Sequence, residues 1–151
     1  MPEKETLERA REDEREGKSP STQAGEFVRE EMHHVREGKH GARNSKQAIA
    51  IGLSKARRAG VKLQAPRAGK TSLSTREKAE RDYKKGQSQS RRKPSSRRSL
   101  ATSGALKREG YSAASRTSLA KQARSSARQR GSRARSAAAK KAARTRKHIR
   151  S

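Results

Sequence analysis

The sequence predicts a mainly α-helical protein, a small helical hairpin over residues 21–63 with long disordered basic extensions whose tail turns helical on binding. Three observations predict it. Large apolar residues are scarce: Leu, Ile, Val and Phe together make up 14 of 151 residues, well under the roughly 20% below which a highly charged chain is expected to stay unfolded. Charge is one-sided, with 41 Lys and Arg against 15 Asp and Glu and a net charge of +26, and self-repulsion of that size opposes compaction. Apolar residues recur with helical spacing only between residues 21 and 63, where a helix would present one apolar face.

Residues 1–20 form a charged, acidic-leaning head. Good helix formers and the i, i+4 pair Glu5 and Arg9 favour a helix, but only Leu7 and Ala10 offer apolar surface, so a marginal helix is expected. Gly17, Ser19 and Pro20 end it. In the next segment Ala24, Phe27, Val28, Met32 and Val35 fall within an arc of roughly 140° on a helical wheel. Gly38 follows as a helix terminator. A two-glycine loop leads to Asn44 and Ser45, N-cap types, and to a second helix over 46–59 whose Ala48, Ile49, Gly52, Leu53, Ala56 and Ala59 share one face. Two such helices joined by a short loop predict an antiparallel hairpin. At about forty residues it is marginal alone, and a homodimer through its apolar face or a nucleic acid is expected to steady it.

Residues 64–99 read as a basic linker with a short charged helix over 75–85. Residues 100–151 are a tail of Ala, Ser, Lys and Arg. From residue 91 onward 20 Lys and Arg face one acid, Glu109. The Ala-Arg-Lys mixture favours helix, yet its own charge opposes it until phosphates relieve the repulsion. Charge is also polarised along the chain, with a net of −4 over residues 1–37 and +30 over the remainder. The acidic head is expected to compete in cis for the tail, and deletion of residues 1–20 would test that.

A block this basic points to a polyanion. Each Lys or Arg that meets a phosphate releases a condensed counterion, which drives binding. The expected contacts are Lys39, Arg43, Lys46, Lys55, Arg57, Arg58 and Lys62 around the second helix, then Arg91, Arg92, Lys93, Arg97, Arg98, Lys140, Lys141, Arg144, Arg146 and Lys147 in the linker and tail. Asn44 and Gln47 have side chains able to read adenine. Only Phe27, Tyr83 and Tyr111 are aromatic, and single-strand readers stack bases on such rings, so duplex DNA, or shape-based contact with RNA, is favoured over single-strand recognition. The expected function is non-sequence-specific DNA binding in the nucleoid. The alternatives are an RNA- or ribosome-associated basic protein, or a protein-interaction module localised by its tail, with substitution at Ile49 or Leu53 separating the last.

Other chemistries are weaker. Ala68 to Ser72 end like a phosphate loop, but Gln64 stands where the motif needs its first glycine. Glu30, His33, Glu37 and His40 are metal-type ligands, but helix-surface ion pairs account for them better, since zinc sites show tighter spacing. Scattered Ser-Arg pairs leave Ser95, Ser96 and Ser99 as phosphorylation candidates. No nucleophile–base set is recognisable, so no enzyme, cofactor or metal is expected. Cysteine is absent, which excludes thiolate sites. No apolar run approaches a membrane span and no secretory leader is visible, so a cytoplasmic location is expected.

Residues 25–60, and above all the run KQAIAIGLSKARRAG (46–60), resemble a family of small basic bacterial proteins whose function is not established. KPSSRRS, ALKREG and RSAAAKKAART are similar to segments of its longer members. The resemblance implies a bacterial source and supplies no activity.

Overall fold

The computed structural model describes residues 1–88 and 95–150. The chain is helical through most of them: α1 Lys4–Arg15, α2 Pro20–Arg36, α3 Ser45–Arg58, α4 Leu73–Gln87, α5 Ser96–Lys107, a 3-10 turn Ser112–Ala114, and α6 Arg116–Arg150. α6 is interrupted at Gly131, which takes a left-handed φ of 73°. This overturns the expectation of a hairpin with long disordered extensions. The extensions are helices, and several of them pack.

α2 and α3 run antiparallel at the centre. Phe27 and Ala24 of α2 share an apolar cluster with Ala56 of α3, while Met32 and Val35 share a second with Ala48. Gly52 sits between, and a Cβ there would lie 2.7 Å from the Val28 Cα. Bare backbone at that point sets the close approach of the two helices. α2 ends in a Schellman motif. Lys39 N–H donates to the His34 carbonyl at 3.0 Å, Gly38 N–H to Val35 at 3.3 Å, and Gly38 takes a φ of 72°. The turn aims residues 39–42 back over α2.

Each cluster is then closed by a segment expected to lie outside the fold. α1 lays Leu7 and Ala10 on the Phe27 cluster. The 3-10 turn and α6 lay Ala113, Ala114 and Leu119 on the Met32 cluster. Arg36 Nε donates to the Ala114 carbonyl at 3.0 Å and Ser45 Oγ to the Ala113 carbonyl at 2.6 Å, so the turn is fixed by hydrogen bonds from both central helices. The 41–42 loop pairs with the end of α5 through Gly41 N–H to Leu106 and Ala42 N–H to Gly110, at 2.9 and 3.0 Å. α4 packs on α3 through Ala79 and Gly86, with Asp82 accepting from Ser54 Oγ and Arg58 Nε, both at 2.6 Å.

The physical reason for the correction is alanine. Eight of the twelve buried apolar residues described are alanines, so a count of large apolar residues understates this core. Small side chains let backbones approach closely, and dispersion contacts substitute for bulk.

Candidate nucleic-acid interface

The expected phosphate contacts divide into three groups. Arg57 is buried: its Nε donates to the Leu63 carbonyl at 3.1 Å and Nη2 to Gln64 at 3.4 Å, and burial pulls its guanidinium down from the ordinary arginine range against the pull of Asp82. It pins the 60–64 segment to α3 and presents nothing to a ligand. Lys55 is turned inward between Glu30 and Glu31. Both residues leave the interface.

A second group is exposed but ion-paired: Lys39 with Glu3 and Glu37 at 3.2 and 3.0 Å, Arg43 with Glu109 at 3.7 Å, Arg58 with Asp82 at 2.6 Å, and Lys62 with Glu14 at 3.4 Å. Surface pairs of this kind contribute little to stability. The third group, Lys46, Arg97, Arg98, Lys140, Lys141, Arg144, Arg146 and Lys147, is exposed. Arg91, Arg92 and Lys93 lie outside the described residues.

Two shallow grooves flank the 3-10 turn. One, of about 520 Å³, is lined by Arg43, Lys46 and Lys121 with the hydroxyls of Ser118 and Ser125, and it opens at the N-terminus of α3. The positive end of the helix dipole favours an anion there. The other, of about 500 Å³, is lined by Arg36, Arg116 and Tyr111. Lys121, Arg116 and Arg36 were not among the expected contacts, because only the docking of α6 beside α2 and α3 brings them into grooves.

Asn44 and Gln47 are occupied. Asn44 Oδ1 accepts from the Gln47 N–H at 2.9 Å, and Gln47 Oε1 accepts from the Arg43 N–H at 2.7 Å. This reciprocal cap takes up the groups that would read adenine. The ion pairs of residues 1–20 described are internal to the head or reach Glu26, His34, Lys39 and Lys62.

Beyond Gly131, Arg133, Lys140, Lys141, Arg144 and Lys147 fall within roughly 120° of one face by helical register. This half of α6, Gly131 to Arg150, would span about 28 Å. Among the described residues no helix is long and apolar enough to cross a membrane.

These features define a basic, mainly helical unit built on a small alanine-rich core. Residues 19–68, about a third of the chain, match a family described as of unknown function (DUF6496); the match covers α2, α3 and the start of the linker to α4. No curated protein and no solved structure matches the chain.

Proposed function

We propose that the protein binds nucleic acid, duplex DNA foremost, with little sequence preference, and that in a bacterial cell it associates with the nucleoid. The observation that carries the reading is the density of exposed cations on α5 and α6, in a stretch from residue 91 onward whose sole acid is Glu109. Duplex DNA offers one charge per roughly 1.7 Å of its axis, a charge density that a basic stripe such as the one beyond Gly131 suits. The groove at the start of α3 adds a concave site for a phosphate. Occupation of Asn44 and Gln47 in the cap supports contact with backbone rather than base edges.

The test is fluorescence anisotropy with duplex DNA, duplex RNA and heparin over a salt series, for the full chain and a chain ending at Gly131. The shorter chain loses eight cations and none of the buried apolar residues. Tightest binding to DNA is expected, with a salt slope that flattens on truncation by up to about 7 if all eight sit on phosphates. Tighter binding to RNA would favour the ribosome-associated reading. An unchanged slope would remove the tail from the mechanism. Substitution of Ile49 or Leu53 does not separate the protein-interaction reading, because both pack against the two clusters and their loss would damage the core.

A further inference from the structure

The polar centre of the molecule is short of positive charge. Glu31 is fully buried and Glu30 nearly so, and both carboxylates face one ammonium, Lys55. Lys55 Nζ meets Glu31 Oε1, and among the described residues no group donates a hydrogen bond to Glu31 Oε2. Two imidazoles close on the same carboxylate: His34 Nδ1 lies 3.7 Å from Oε1 and His40 Nε2 3.3 Å from Oε2.

The outer nitrogens decide what the inner ones present. His34 Nε2 meets Glu3 Oε1 at 2.9 Å, and His40 Nδ1 meets the Gly41 carbonyl at 3.0 Å. Both partners only accept, so both outer nitrogens carry the proton. In the neutral rings the inner nitrogens are then lone pairs directed at a carboxylate, another acceptor. Such an arrangement calls for a cation. It also has the outer shell of a metal site, in which each ligating histidine donates its second N–H to a carboxylate or backbone carbonyl.

We infer that Glu31, His34 and His40 form a site for a divalent transition-metal ion, with zinc the best fit to two imidazoles and one carboxylate. The three ligand atoms lie within 4.8 Å of one another. A tetrahedral zinc with bonds of about 2.0–2.1 Å needs them roughly 3.3 Å apart, a contraction that rotation about side-chain bonds would have to supply. Lys55 holds the charge of the metal-free state and has Glu30 Oε1, 3.2 Å away, to retain it when the ion enters. Of the metal-type residues named from the sequence, only His40 belongs to this set. His33 is exposed, Glu37 pairs with Lys39 and Glu30 with Lys55; the chain turn at Gly38 brings His40 to Glu31 and His34 instead. The ion would join α2, the 39–42 loop and, through Glu3, α1.

Untagged full-length protein, stripped with chelator, is titrated with Co²⁺ followed by visible absorption, then with Zn²⁺ in competition, and melted with and without Zn²⁺. One equivalent is expected to bind with tetrahedral absorption and to raise the unfolding midpoint. His34→Ala and His40→Ala each lose the absorption, and Glu3→Ala weakens binding about tenfold, as loss of an outer-shell acceptor does. His33→Ala and His148→Ala leave it unchanged. Lys55→Met lowers stability without metal and binds zinc more tightly, by about tenfold, because the competing cation is gone. Absence of a saturable equivalent in the unaltered protein overturns the inference, whatever the variants do. So does a cluster whose histidines alter only the pH dependence of melting while zinc has no effect, which would make it a proton site.

Discussion

Arg57 and Arg58 are neighbours in sequence with opposite fates, and the difference shows what a residue-scale reading lacks. Both sit in a basic run at the end of α3, and both suit phosphate. One turns inward to satisfy the carbonyls of Leu63 and Gln64, and the other turns outward to Asp82. Glu30 carries a residue-scale prediction. Burial pushes its carboxyl up, but the Glu3 backbone N–H, the Thr6 hydroxyl and Lys55 together bring it below the usual carboxylate range. A lowered pKa in the folded state contributes stability that is complete above the unfolded value, about pH 4.3, and is lost as pH falls through the folded one. Unfolding midpoints measured from about pH 6 to pH 3 are therefore expected to drop more steeply for the native chain than for Glu30→Gln across this window. Parallel curves would remove Glu30 from the acid response.

At the scale of elements, the pairing of α2 and α3 is the part most open to a reading of periodicity, because both helices alternate apolar and polar faces over several turns. What periodicity leaves open is how near they come. Two glycines give paired predictions. Gly52→Ala would bring a Cβ to 2.7 Å from the Val28 Cα, so α2 and α3 must part, at a cost of about 1–3 kcal/mol. Gly25→Ala, on α2 with nothing within 4 Å, should instead add up to about 1 kcal/mol from helix propensity. Urea denaturation of the two variants checks both signs. α1 shows a further gap: read alone it has two apolar residues, and it holds because Glu3 N–H donates to Glu30 Oε2 at 3.0 Å and Arg9 reaches Glu26 at 2.6 Å. No local pattern announces those partners.

At the scale of the whole molecule, the tail divides at Gly131. Before it, Ala113, Ala114 and Leu119 complete a core; after it, the described side chains are exposed or nearly so. A chain ending at Gly131 is expected to melt where the full chain does. A chain ending at Tyr111 uncovers Met32, Val35 and Ala48 and removes the acceptors of Arg36 and Ser45, a loss on the order of 3 kcal/mol. Circular dichroism melts of the two truncations check this, and equal losses would mean that the 3-10 turn does not close the core.

By itself the sequence determined the helical class, the segments that become α2 and α3, and the polarity of the charge, because helix propensity, capping and net charge are local or additive. Arg97, Arg98, Lys140, Lys141, Arg144, Arg146 and Lys147, named from the sequence, lie exposed on α5 and α6, whereas Lys121, Arg116 and Arg36, which line the grooves, were not named. Tertiary structure alone decided that the tail joins the core, that Arg57 and Lys55 turn inward, and that Glu31, His34 and His40 meet. The reason is that alanine is neutral in any apolar count until another backbone approaches it. A buried charge, likewise, is told from a solvated one only by the groups that the fold places around it.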